Sequence, residues 1–253
     1  MPGFFVDPAD VDGERLVLRG AEARHAARVR RYGVGDTLEA SDGQGAFYRV
    51  RITGLQEGLV ECRIVAAEAE RGESGVRLLL VAALLKGQRF DFLIEKATEV
   101  GVDSVWPVCA ERSVVQDVSP RKVERWRRLA HEAAKQCGRT RTPLVADPAP
   151  LGEAMRRLAG ETQQAFMAVP AAEGALEGGL GQGHSKRLGL CIGPEGGFSP
   201  AEEGLAGELG FQSFGWGQRV LRAETAAVVL SGLLLHAAER ANRARSDAGE
   251  TND

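Results

Sequence analysis

No CxxC pair occurs in the chain. Its 253 residues hold only four cysteines, Cys62, Cys109, Cys137 and Cys191, all widely spaced, which excludes a disulfide framework or a zinc ribbon and makes packed thiols the ordinary expectation. Long apolar runs are also missing: the longest, LLLVAALL at 78–85, is far short of the ~20 residues a membrane-spanning helix needs. With no signal-peptide pattern at the N-terminus, the expectation is a cytoplasmic protein without a membrane partner. Histidines are few, and His25, His131, His184 and His236 show no ligand spacing. HEAAK at 131–135 is not HExxH, so no metal is expected.

Charge of one sign is lacking overall, since the formal net charge is only -3. Its distribution is nevertheless uneven. Six arginines against Glu22 lie between Arg15 and Arg31, and eight Lys or Arg against Glu124 and Glu132 lie between Arg121 and Arg141. A local cluster of cations attracts phosphates whatever the total charge, although a solvated helix face has the same composition.

What is present is enough apolar material for a core, 43% of residues, in two grammars. Residues 1–72 carry short alternating runs such as AFYRVRITGL and LVECRIVAAE with turn chemistry between them, which predicts a small β-rich domain interrupted by one short helix in ARHAARVRRYGVGD. After the polar ERGESG the pattern changes. VRLLLVAALL is a continuous apolar strand, and Phe90, Leu93, Ile94, Ala97 and Val100 share one helical face that ends at Gly101. VDSVWPVC reads as a strand, and a helix over roughly 120–137 turns Val123, Trp126, Leu129, Ala130, Ala133 and Cys137 inward. AFMAVP and LGLCIGP are further strands, and alternation of this kind predicts a parallel α/β domain over 73–243, with a disordered tail from 244.

The stretch CIGPEGGFSPAEE places glycines at the carboxyl end of a strand, where such domains bind ligands. Ser199, Pro200 and Glu202 read as the N-cap, first turn and capping-box partner of the next helix. The turn matches neither GxGxxG nor GxxxxGK[ST], so a phosphate cradle is poorly supported. A second bare segment, FGWGQRVLRAETAAVV, again runs from a short strand through glycines into a helix, which predicts two loops on one pocket.

GPEGGFSPAEE with GQRVLRAETA, preceded by KATEVGVDSVWPV and EAAKQCGRTRTP, resembles the bacterial 16S rRNA uracil-N3 methyltransferase family, part of the SPOUT superfamily of knotted methyltransferases. HAARVRRYGVGD is similar to that family's N-terminal PUA-like RNA-binding β-barrel, so the likeness spans nearly the whole chain. The resemblance implies S-adenosylmethionine as methyl donor, 16S rRNA or the small ribosomal subunit as partner, a homodimer, and a deep trefoil knot in the parallel sheet. Periodicity by itself points to a flavodoxin-like open sheet, because knots are rare. By position, the resemblance puts Gly193, Pro194, Glu195, Gly196, Gly197, Gly215, Trp216, Gly217 and Leu221 at the cofactor pocket, with Met167 to Pro170 as a third wall. Trp216 stands where the family has Leu, and Ala223 where it has Thr.

For the chemistry, Arg222 is the candidate cation beside the uracil carbonyls, and Glu224 either orients it or accepts a proton. Helix-start pairing is the plain alternative for both. Arg24, His25, Arg28, Arg30 and Arg31 are candidate RNA contacts; Arg112 and Arg139 are candidates for phosphates and Gln136 for a base edge, with Glu132 bracing an arginine. Rival functions are RNA 2′-O-methylation and a non-catalytic RNA-binding assembly protein.

Overall fold

The computed structural model describes residues 3–170 and 186–250. His184 and residues 251–253 lie outside the described residues. Two compact units are present: Met1–Glu73 with His131–Thr142, and Ser74–Ala130 with Pro143–Asp253.

The first unit is built on six strands, β1 (Phe4–Phe5), β2 (Val11–Asp12), β3 (Arg15–Arg19), β4 (Thr37–Ser41), β5 (Ala46–Gln56) and β6 (Leu59–Ala69), in the order β1-β4-β5-β6-β3-β2. Alternation decides which side chains enter: Leu16, Leu18, Val50, Ile52 and Val60 are buried in one cluster, as a period of two requires. β5 and β6 form a long hairpin closed by Glu57 and Gly58, whose φ of 74° suits glycine in a tight turn. The single predicted helix is α1 (Gly20–Arg24) continued by a π turn over His25–Val29, in which the Arg30 N–H reaches back to the His25 carbonyl at 3.0 Å.

The second unit is a parallel sheet of β7 (Arg77–Ala83), β8 (Ser104–Cys109), β9 (Leu144–Val145), β10 (Ala149–Pro150), β11 (Gln164–Ala168), β12 (Arg187–Ile192) and β13 (Gln212–Phe214). The order is β10-β8-β7-β12-β11-β13, with β9 beside β8. Its helices are α2 (Arg89–Glu99), the part of α3 (Pro120–Cys137) up to Ala130, α4 (Leu151–Glu161), α5 (Pro200–Glu208) and α6 (Ala223–Glu250). β7 is covered on both faces: Leu78, Leu80 and Ala82 pack with Phe90, Leu93 and Leu234, while Leu79, Val81 and Ala83 pack with Met155 and Leu158. A strand covered twice has no polar side, which explains its unbroken apolar run.

Several local expectations are met. The Gly101 φ of 103° ends α2, and α3 covers the predicted span. Trp126 is fully buried, with its indole N–H donating to Asp91 Oδ1 at 2.8 Å. Cys137 departs from its expected inward position: it is exposed at the end of α3, where the chain turns at Gly138 with a φ of 78°, and Ala134 is buried instead. α4 is a helix beyond those expected from the sequence pattern, and α6 continues past residue 244, where a tail is expected, to Glu250.

Candidate functional site

Loops leaving the carboxyl ends of β11, β12 and β13 enclose one cavity of about 450 Å³ in the second unit. Its interior wall is apolar, with Ile192, Phe214 and Leu230 buried. Its rim carries the exposed residues Glu195, Trp216, Arg219, Val220 and Arg222. A concave, mostly apolar site with a few polar groups at strand ends is the usual form of a small-molecule pocket.

The loop after β12 is shaped by what its glycines omit. A Cβ on Gly193 would come within 3.1 Å of the Phe198 ring, and one on Gly196 within 3.2 Å of Arg112 Cβ. Gly197 has a φ of 69°, a conformation costly for any residue with a Cβ. The loop then ends on the predicted capping box: Ser199 Oγ accepts from the Glu202 N–H at 3.3 Å, and Glu202 Oε2 accepts from the Ser199 N–H at 2.8 Å. Such a cap is worth about 1 kcal/mol. The other Glu202 oxygen accepts from the Glu111 N–H at 2.8 Å, which ties the loop after β8 to α5.

Arg112, on that loop after β8, donates to the Phe198 carbonyl at 2.9 Å and the Gly196 carbonyl at 3.3 Å. Arg89 at the start of α2 pairs with Glu195 at 2.8 Å. The glycine loop is therefore held from two sides by guanidinium groups.

Of the expected pocket residues, Pro170, Gly193, Pro194, Glu195, Gly197, Gly215, Trp216 and Leu221 line the cavity, together with Arg222. Gly196 sits against Arg112, and Gly217 makes a turn with a φ of 64°, both without lining it. Met167 is elsewhere, 4% exposed in the cluster with Leu79 and Cys191. Strand alternation sends Phe166 and Ala168 to one face of β11 and Met167 to the other, so the third wall is Ala168, Val169 and Pro170. Arg219 and Glu203 also line the cavity; both belong to the quoted motifs, and only their direction was illegible.

Arg222 precedes α6, and its carbonyl accepts the first helical bond from the Ala226 N–H at 2.8 Å. Glu224, in the first turn, is 8% exposed, and its Oε2 is buried without a hydrogen-bond partner among the described residues. Cys109 donates its thiol to the Gln116 carbonyl at 3.0 Å, and burial followed by the charge of Asp117 pushes its pKa up. No activated thiolate stands there. Among the described residues, no group of three His, Cys, Asp or Glu converges as a metal site, and no helix is long and apolar enough to cross a membrane.

In the first unit, Arg24 and Arg31 are exposed with no ion-pair partner among the described residues, while Arg28 pairs weakly with Glu57 at 3.4 Å. Arg30 lies over the Tyr32 ring and His25 packs edge-on to Phe4. Gln136 is exposed. Arg139 is not the phosphate ligand expected of it: its side chain is 7% exposed and paired with Glu73, itself 5% exposed, at 2.8 Å. Of the eight cations in 121–141, Arg125, Arg127, Lys135, Arg139 and Arg141 are all in ion pairs, so most of that basic run is neutralised by folding.

The model of the RNA methyltransferase domain family matches residues 72–235. The chain belongs to this RNA methyltransferase family. A model of the RNA methyltransferase PUA domain matches residues 18–65. Among curated relatives of this methyltransferase, the ribosomal RNA small subunit methyltransferase E of Synechocystis is 32% identical over 226 residues, covering 88% of this chain and 74% of the relative. The Mycobacterium bovis enzyme of the same name is 31% identical over 236 residues, covering 90% and 89%. Among solved structures, ribosomal RNA small subunit methyltransferase E of Neisseria gonorrhoeae bound to S-adenosyl methionine superposes with a TM-score of 0.80 at 28% identity over 93% of this chain and 97% of that one. The two-part architecture expected from the sequence, a parallel SPOUT-type α/β domain with a PUA-like domain of strands, is the one this methyltransferase has.

Proposed function

We propose that this chain transfers a methyl group from S-adenosylmethionine to N3 of one uridine in 16S rRNA of the small ribosomal subunit. The observation that carries the reading is the cavity enclosed by the strand-end loops, with an apolar interior and an arginine rim. The relatives named for small-subunit rRNA methylation and the neighbour bound to S-adenosyl methionine support the substrate and cofactor.

The residues present fit the cofactor. About 450 Å³ suits a ligand of that size, and the Gly193 site, where a Cβ would strike Phe198, leaves bare backbone for reading an adenine edge. Gly193 to Glu195, Gly197, Gly215 and Leu221 would hold it. When bound, the cofactor supplies an electrophilic sulfonium methyl group.

The chain's own residues must place the uracil and manage one proton. The N3–H is lost as the N3–methyl bond forms, and the negative charge developing on the ring spreads onto its carbonyl oxygens. Arg222, exposed at the rim, stabilises that charge. Glu224 accepts the proton or orients Arg222, and its unpartnered Oε2 has the acceptor capacity for either. With no activated thiolate at Cys109, ring carbon methylation through a covalent adduct is unsupported.

Residues 1–72 serve as the RNA-binding domain and 73–243 as the methyltransferase domain, acting in the cytoplasm. A homodimer through α6 fits the partly buried Val228, Val229 and Leu233. The trefoil knot fits β13 lying outside β11 while α6 returns to pack on β7 and β12. Digestion of treated rRNA to nucleosides and mass spectrometry against 3-methyluridine and 2′-O-methyluridine standards tests the reaction, and a 2′-O-methyl product would overturn it. Light scattering tests the dimer.

A further inference from the structure

Trp216 is one of three tryptophans, and the other two are buried: Trp106 is 4% exposed and Trp126 0%, against 37% for Trp216. A tryptophan ring at a pocket mouth offers a flat apolar face together with a polar N–H edge, the combination that suits it to a ligand contact. Here it stands on the cavity rim, beside Val220, which is still more exposed. Arg219 lies over the ring with its guanidinium carbon 5.8 Å from the centroid, and neither Arg219 nor Arg222 has an ion-pair partner among the described residues. The buried interior of the cavity is apolar, whereas this rim combines one open π face with two uncommitted cations. That pairing is the chemistry of single-stranded RNA recognition, in which an aromatic ring stacks a splayed base and arginines hold its phosphates.

We propose that Trp216 is the stacking platform for the acceptor nucleotide, with Arg219 on its phosphate, rather than a wall of the cofactor pocket. The proposal rests on the reading of the cavity as a uridine methyltransferase site. At the mouth of the cavity, the aromatic ring would strengthen the hold on an unpaired uridine. Trp216 is then a positioning residue for the base, and its effect falls on RNA affinity rather than on the methyl-transfer step.

The test uses the full chain with a short single-stranded RNA containing one uridine, with 16S rRNA, and with S-adenosylmethionine. Excitation of tryptophan should show emission quenched by the RNA, and the quench should vanish in Trp216→Phe. Trp216→Ala should raise the RNA Kd and the KM for 16S rRNA about 5- to 100-fold, the range of loss of one base–aromatic stack. Trp216→Phe should restore most of that affinity. The cofactor Kd by calorimetry should change at least fivefold less than the RNA Kd. Equal losses of cofactor and RNA binding would make Trp216 a cofactor wall and overturn the proposal. Unchanged RNA affinity would overturn it, as would a shift in oligomeric state in Trp216→Ala, which would place the ring in a subunit interface. If RNA quenches Trp216 but the wild-type chain yields no 3-methyluridine, the stacking stands and the reaction assigned to the site falls.

Discussion

Arg112 donates to the Phe198 carbonyl at 2.9 Å, and its side chain lies against Gly196, where a Cβ would come within 3.2 Å of it. One arginine thus does two things: its guanidinium fixes the course of the glycine loop, and its Cβ limits the residue that the loop can tolerate there. Arg112, a phosphate candidate by sequence, is in the fold a brace for the cavity wall.

Arg112→Ala should therefore weaken S-adenosylmethionine binding about tenfold while leaving the fold intact, since two hydrogen bonds to a charged donor are lost at a partly exposed site. Gly196→Val should weaken it further by driving into Arg112. Calorimetry checks both. Wild-type affinity in a folded Gly196→Val chain would remove this loop from the cofactor site.

Arg222→Ala should lower kcat by at least ~10²-fold, the usual cost of losing one donor to transition-state charge. Raising the pH should partly restore the rate, because hydroxide then supplies the uracil anion that Arg222 no longer favours. Single-turnover rates across pH measure this, and an equal deficit of Arg222→Ala against the wild-type chain at every pH would discard the role.

Arg139→Ala should destabilise the first unit by about 3–5 kcal/mol, because it strands a buried carboxylate. Glu73 Oε1 also accepts from the backbone N–H of Thr140 at 2.8 Å and of Arg141 at 2.9 Å, so Glu73→Ala should be at least as damaging. Urea denaturation followed by tyrosine and amide signals of the first unit reads the loss. The fold also argues against deleting residues 1–72 as a clean way to isolate the methyltransferase domain, since Lys135 would lose Glu22 and Arg141 would lose Glu70.

RNA affinity should fall linearly with salt on a log–log plot, with a slope of roughly -0.7 per phosphate contact on single strands. Arg24→Ala with Arg31→Ala should flatten that slope by about one contact each. Arg139→Ala should not alter the slope in any folded preparation, because its charge is already committed to Glu73.

Thiol labelling at pH 7.5 should modify Cys137 quickly, Cys109 slowly, and Cys62 and Cys191 only after unfolding. Burial pushes the Cys62 thiol up to about 12 and raises Cys191 as well, so neither offers thiolate at neutral pH. Mass spectrometry of the labelled chain counts the sites, and fast labelling at Cys62 would contradict the packed core of the first unit.

The sequence by itself determined whatever depends on short spacing. The capping box of Ser199 and Glu202, the end of α2 at Gly101, the span of α3 and the doubly covered β7 all follow from residues within a few positions of one another, because helical and strand periods are local. The motifs around Gly193 and Gly215 also announced a shared pocket. Tertiary structure alone decided which charges were free: Arg139 finds Glu73, and Lys135 finds Glu22, across 66 and 113 residues. It also decided that Met167 faces away from the cavity, that Arg112 braces it, and that Trp216 alone of the tryptophans stays open. Such facts depend on which distant segments meet, and no repeat in the sequence encodes that meeting.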